Sequence, residues 1–274
     1  MKDTSLLTAA CRAKFCALYV NGDEKFGDYF ATAIVGDRID AFDDIIFNKF
    51  PPGTLDVFGF RSQFTDEYIL KGDFPSQIVI LGAGMDTLGA RYAEIFRNKQ
   101  TKLFEVDLPS TQQTKKQLVS SVETYDDAAI TYVECDFTSQ DFMDCLAKNG
   151  FNFQSQSTFI WMGVSYYLPL ETVLEIFKKV IDINPHNEIL FDYAIDVLHK
   201  DEGIMKSEQV LKDMKEPIMC KFADITPVLA AIGYKMVDEI SLFAYALKNG
   251  GAVYPNDKRY LRFVHASGRQ YSKN

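Results

Sequence analysis

Histidine, tryptophan and cysteine are scarce in this chain of 274 residues, and basic residues fall short of acidic ones. The three histidines (His186, His199, His265) are scattered, and the five cysteines (Cys11, Cys16, Cys135, Cys145, Cys220) form no C-x-x-C. A zinc site needs such donors at close spacing, so no metal is expected, and the thiols read as buried or free in a reducing compartment. No run of 18 apolar residues occurs, which leaves no segment of membrane-spanning helical length. The opening Met1-Lys2-Asp3-Thr4-Ser5 lacks the charged-then-apolar layout of a signal peptide, so a cytoplasmic location is expected. With 29 Lys+Arg against 38 Asp+Glu, the net charge of −9 argues against a nucleic-acid partner, whose phosphates it repels. Repeats and low-complexity tracts are also missing.

What is present suits a folded α/β enzyme. Hydrophobic residues make up 47% of the chain, 22 of them phenylalanine, enough for a sizeable core. One domain over 1–274 is the simplest division, with 1–72 as a helical cap and lead-in helix and 73–274 as the core. Apolar spacing and turn signals predict helices over 4–20, 28–35, 41–50 and 61–71, the third stopped by Pro51-Pro52-Gly53. From there strands (77–82, 102–107, 130–135, 157–162, 188–193) alternate with helices (86–97, 110–121, 139–148, 170–182). Such alternation implies a parallel sheet with right-handed crossovers. A helix over 222–232 follows, then two long apolar stretches, 235–247 and 259–266, which read as an antiparallel hairpin on the sheet edge.

The most informative segment is Gln77-Ile78-Val79-Ile80-Leu81-Gly82-Ala83-Gly84-Met85-Asp86-Thr87, an apolar strand running into two glycines and then an amphipathic helix. Gly82 and Gly84 let the backbone turn sharply and let a ligand approach closely, and the helix behind them offers free N–H groups. Thr87 occupies the third glycine slot of G-x-G-x-x-G. A diphosphate needs the close helix approach that this glycine gives, whereas a nucleoside without phosphates does not. The departure favours a nucleoside cofactor such as S-adenosylmethionine over NAD. About 20 residues on, the strand Lys102-Leu103-Phe104-Glu105-Val106-Asp107 ends in acid, where carboxylates can accept from ribose hydroxyls; that is the favoured role for at least one of Glu105 and Asp107, which otherwise read as solvated strand-end acids or a helix cap before Pro109.

Leu81-Gly82-Ala83-Gly84-Met85-Asp86-Thr87, Phe104-Glu105-Val106-Asp107-Leu108-Pro109 and Tyr167-Leu168-Pro169 together resemble the leucine carboxyl methyltransferase-like family, over about Thr8 to Tyr193. Its members methylate a protein C-terminal carboxylate or O-methylate polyketides and other secondary metabolites. The resemblance implies a class I methyltransferase fold: a Rossmann-like, mostly parallel sheet with a C-terminal antiparallel hairpin, under an N-terminal helical cap. It implies S-adenosylmethionine as cofactor, with Arg61 gripping the methionine carboxylate and Arg12 near the same group. Arg61 reads otherwise as a surface partner of Asp66 or Glu67, and Arg12 as a plain helix-face charge. Gly82 and Gly84 would pass beneath the methionyl or ribose portion, while Asp136 and the Phe137 N–H would meet the adenine. Met162 stands before Gly163 where relatives usually carry glutamate, which points to a less polar pocket facing the sulfonium.

Tyr166 and Tyr167 are the candidates for orienting an acceptor oxygen, or else amphipathic packing. Methyl transfer is an in-line displacement that depends on positioning. A carboxylate acceptor is already ionised at neutral pH, whereas a phenol is helped by a base, for which His199 is the histidine nearest the expected cleft. The favoured reading is O-methylation of a small metabolite, with a homodimer left open. The others are methylation of a protein C-terminal carboxylate, a cofactor-binding protein without transfer activity, and an NAD-dependent oxidoreductase.

Overall fold

The computed structural model describes residues 4–19, 27–71, 74–137, 139–197, 202–250 and 260–268. Its centre is a seven-stranded sheet in the order β3-β2-β1-β4-β5-β7-β6. The strands are β1 (Gln77–Leu81), β2 (Lys102–Asp107), β3 (Ile130–Glu134), β4 (Ser157–Trp161), β5 (Glu188–Ala194), β6 (Tyr234–Ser241) and β7 (Leu261–Gly268). The first five pair in parallel, and β7 runs antiparallel to both β5 and β6. This is the topology expected from the sequence. Every residue of β1 and β4 is buried, because a central parallel strand is covered on both faces; the edge strands β3 and β6 are only partly so.

Before the sheet come α1 (Thr4–Tyr19), α2 (Tyr29–Val35) and α3 (Thr54–Lys71), with a 3₁₀ turn over Gly36–Phe42 and a π turn over Asp44–Lys49 between the last two. Between and after the strands run α4 (Leu88–Arg91), α5 (Ala93–Lys99), α6 (Pro109–Val119), α7 (Phe142–Lys148), α8 (Leu170–Ile183), α9 (Glu202–Asp213), α10 (Thr226–Ile232) and α11 (Leu242–Lys248). One sheet face packs Val79, Phe104, Trp161 and Phe191 against α7, α8 and α10, with α8 burying Val173, Ile176, Phe177 and Val180 at helical spacing. The other face packs Ile78, Ile80, Leu190 and Phe263 against Phe60 and Phe64 of α3 and Tyr245 of α11. A third apolar cluster joins α1 and α2 to Met85 of the glycine turn and to Ala90. No helix among the described residues is long and apolar enough to cross a membrane.

Several elements differ from expectation. The stretch 235–247 is strand and then helix: Ser241 accepts from Ala244 N (3.1 Å) as a cap, and the helix-favouring Leu242-Phe243-Ala244-Tyr245-Ala246-Leu247 continues as α11. The helix expected over 86–97 breaks at Tyr92 (φ −117°, ψ 23°), and the helix holding Arg61 starts at Thr54 rather than at 61. Helix α9 escaped prediction because it buries only Ile204 and shows no wide apolar stripe.

Candidate functional site

The loops after β1, β2, β3, β4 and β5 meet at the carboxyl edge of the sheet. In the glycine turn, Gly82 N (2.8 Å) and Ala83 N (3.1 Å) both donate to Val106 O, which clamps the turn to the end of β2. Gly82 has φ +71°, and a Cβ there would lie 2.5 Å from Val164 Cγ2, so glycine is required both for the turn and for contact with the loop after β4. The α1 N-terminus comes over the turn, with Ser5 Cβ 3.5 Å from where a Cβ on Gly84 would stand.

Asp107 closes the turn. Its Oδ2 accepts from Gly84 N (2.6 Å) and its Oδ1 from Leu108 N (2.7 Å). Burial raises its pKa, and the two N–H donors pull the other way. The Thr111 side chain is a third hydrogen-bond partner. Of the carboxylate's roughly four acceptor positions, about one is left for a ligand hydroxyl. Cys135 N donates to Asp107 O (2.8 Å), which brings Asp136 and Phe137 alongside. Asp136 N is occupied by Gln140 Oε1 (2.9 Å), and half-buried Phe137 packs edge-on against Phe142.

Glu105 does not share this position. Its side chain is fully buried and ion-paired to the equally buried Lys115 of α6, whose Nζ also donates to Asp86 O. A ribose hydroxyl cannot reach it in this arrangement, which leaves Asp107 as the acid at the turn. Burial pushes the Glu105 carboxyl up to about 7, with Lys115 opposing the rise. An acid whose folded pKa lies above its ordinary 4.5 holds its proton more tightly when folded. It therefore contributes stability at low pH and loses that contribution as pH climbs from about 4.5 to about 7. The stability of the wild type minus that of Glu105→Gln should fall across this window in urea titrations; a difference that rises with pH would contradict the assignment.

Arg61 points from α3 to the loop after β4, but its partner is neither Asp66 nor Glu67. Nε (3.0 Å) and Nη2 (2.7 Å) donate to Oδ2 of Asp192 on β5, and Nη2 also donates to Tyr166 Oη (2.8 Å). Burial works against the guanidinium charge, yet Asp192 and Tyr166 outweigh it and raise the pKa, so Arg61 stays charged. Gly163 has φ +74°, and a Cβ there would sit 2.7 Å from Arg61 Nη1. Met162 lies half-buried in the apolar cluster that also holds Tyr166 and Tyr167. The two rings pack edge-on at 4.6 Å, and burial pushes Tyr166 up to about 12 and Tyr167 well above its ordinary value, so neither ionises near neutral pH. Tyr166 thus braces Arg61. His199 lies outside the described residues.

Arg12 meets the glycine turn rather than standing clear of it: Nη2 donates to Met85 O (2.5 Å) and Nε to Asp28 Oδ2 (2.8 Å). Buried Asp28 caps α2 through Ala31 N (3.0 Å) and accepts from Thr87 Oγ1 (2.6 Å). Arg91 donates to Thr87 Oγ1 (3.0 Å) and ion-pairs with fully buried Asp66 of α3. Thr87, the residue that breaks the dinucleotide pattern, is therefore the hydroxyl joining the cap helices to the turn. Sequence reasoning overlooked both this network and Asp192. The available signal for Asp192 was a lone acid inside the apolar run of β5, where an unpaired charge would be costly.

A cavity of about 370 Å³ lined by Phe96, Arg97, Lys102 and Thr131 lies at the opposite edge, at the amino ends of β2 and β3, and touches none of these groups.

The chain is similar to several known proteins. YktD of Bacillus subtilis, provisionally named an S-adenosyl-L-methionine-dependent methyltransferase, is 35% identical over 128 residues, 46% of this chain and 41% of its own length. A Mycobacterium tuberculosis protein with the same provisional name is 27% identical over 126 residues, 45% of this chain and 40% of that one. The aligned region thus spans about two fifths of these relatives. Among solved structures, a DUF574 family protein from Streptomyces avermitilis superposes with a TM-score of 0.61 at 13% identity, over 90% of this chain and 95% of that one. A protein from Thermobifida fusca, provisionally called a methyltransferase, gives 0.60 at 12% identity over 90% and 93%. These two share the fold. The leucine carboxyl methyltransferase family model matches residues 5–181, nearly two thirds of the sequence, and the chain belongs to that family.

Proposed function

We propose that this protein is an S-adenosylmethionine-dependent methyltransferase that methylates an oxygen of a small metabolite. The observation that carries the reading is Asp107 on the Gly84 N–H at one end of the carboxyl edge, with Arg61 braced over Gly163 at the other. A nucleoside bearing an amino-acid arm needs a ribose acceptor at one end and a carboxylate donor at the other, and these residues supply both. The site's buried cations are already paired, Arg12 with Asp28, Arg61 with Asp192, Arg91 with Asp66 and Lys115 with Glu105. Asp107 has no ion-pair partner among the described residues, with Lys115 acting on it only at longer range, which suits a cofactor of net positive charge.

Bound S-adenosylmethionine supplies a methyl group on a sulfonium, which an acceptor oxygen takes by in-line displacement. The protein's part is to align and to exclude water. Met162 gives the methyl-facing wall no charge, which supports a weakly polar acceptor. Neither tyrosine serves as a base, since both are held neutral. A carboxylate acceptor requires none, and His199 remains the proposed base for a hydroxyl. Methylation of a protein C-terminal carboxylate is the second reading, favoured by family membership; Met162 and the net charge of −9 weigh against it.

Calorimetry with S-adenosylmethionine, S-adenosylhomocysteine and NAD tests the cofactor. Micromolar binding of the first two and none of NAD is expected, with Asp107→Ala weakened about 10- to 100-fold, as for loss of one or two charge-assisted hydrogen bonds. Failure of the wild type to bind either adenosyl compound would sink the reading. Tight binding without methyl transfer to any acceptor would favour a binding protein that does no chemistry.

A further inference from the structure

We infer that Asp192 is the positioning residue that sets which face of Arg61 meets the ligand, with Tyr166 as a second brace; this rests on the methyltransferase reading above. Asp192 is fully buried and is shared among three elements. Its Oδ2 takes Nε and Nη2 of Arg61 from α3, and its Oδ1 takes Gly163 N (2.6 Å) from the loop after β4. Ser165 Oγ donates to the Asp192 carbonyl (2.7 Å), which fixes the same loop to β5 a second time.

Counting donors shows what this leaves. A guanidinium has five N–H groups. The Nε hydrogen and one Nη2 hydrogen go to Asp192, and the other Nη2 hydrogen goes to Tyr166. Only the two on Nη1 have no protein partner among the described residues, and Nη1 lies where Gly163 has no Cβ. The two-nitrogen fork that arginine commonly offers to a carboxylate is therefore closed. A ligand carboxylate is offered one nitrogen, in one orientation. Because Asp192 also neutralises Arg61, recognition depends on that orientation rather than on net charge. The arrangement favours an amino-acid arm, which carries its own ammonium, over a simple anion.

The test separates the arm from the nucleoside. Methylthioadenosine keeps adenosine and the sulfur but lacks the amino-acid carboxylate. Asp192→Asn presents one acceptor and one NH₂ group where two sets of donors need acceptors, so Arg61 is released. Binding of S-adenosylhomocysteine should fall about tenfold or more, while methylthioadenosine stays within about threefold of wild type. Tyr166→Phe, which removes the second brace together with a hydrogen bond to Tyr167 but leaves Asp192 in place, should show the same selectivity at about three- to tenfold. If Asp192→Asn does not fold, Tyr166→Phe decides. Unchanged homocysteine-adduct binding, or equal losses for both ligands, would overturn the positioning role while leaving the cofactor assignment standing. A wild type that binds neither ligand would remove the methyltransferase reading itself, and the inference with it.

Discussion

Arg61→Ala should lose S-adenosylhomocysteine binding by about 100-fold or more in calorimetry, roughly 2.7 kcal/mol or above. Two effects act in the same direction. The variant removes the cation whose Nη1 faces the loop after β4, and it uncovers Asp192, whose side chain is 0% exposed and then meets a ligand carboxylate as a like charge. Stability should fall as well, by about 3–5 kcal/mol if Asp192 stays ionised, since half of a buried pair costs more than the pair. Circular dichroism and a urea titration are therefore needed beside the binding curve. Folded Arg61→Ala that binds S-adenosylhomocysteine like wild type would show that the arginine is structural and that the amino-acid arm lies elsewhere.

A stability loss of similar size is expected from Lys115→Met. Both members of the Lys115–Glu105 pair are completely buried, and among the described residues Glu105 Oε1 has no hydrogen-bond partner even with lysine present. Without the ammonium, Glu105 must either remain charged in an apolar interior or take up a proton at neutral pH. Lys115 also holds Asp86 O, so the glycine turn loses an anchor at the same time. A loss of about 3–5 kcal/mol near neutral pH follows. Lys115→Met/Glu105→Leu should regain most of it, because exchanging a whole buried pair for apolar groups of similar size is often close to neutral. The deficit of the single variant should shrink on acidification, as protonation of Glu105 removes the uncompensated charge. A double variant no more stable than the single would show that the lysine acts through Asp86 and not through the carboxylate.

Much of the architecture was legible in the sequence. Five short apolar runs separated by helical spacing predict a parallel sheet, because strands buried on both faces must be apolar throughout. Gly82 was legible because few residues other than glycine adopt its positive φ, and Asp107 because a strand-end acid at that distance from a glycine turn has a recurring role. Local patterns failed where tertiary contact decides. Glu105 and Asp107 sit two residues apart on one strand and face the same side, yet one meets Lys115 and the other meets Gly84 N. No spacing rule separates them.

The sequence by itself determined the class of fold, the glycine turn at the carboxyl edge of the sheet, and the family. These depend on backbone preferences and apolar periodicity, which act over a few residues. Only the tertiary structure decided the partners of the buried charges: Arg61 with Asp192 across 131 positions of chain, Arg91 with Asp66, Arg12 with Asp28, and Thr87 as the link from cap to turn. A buried ion must find a counter-ion wherever the fold brings one within reach, and that neighbour is set by the packing of whole elements, not by proximity along the chain.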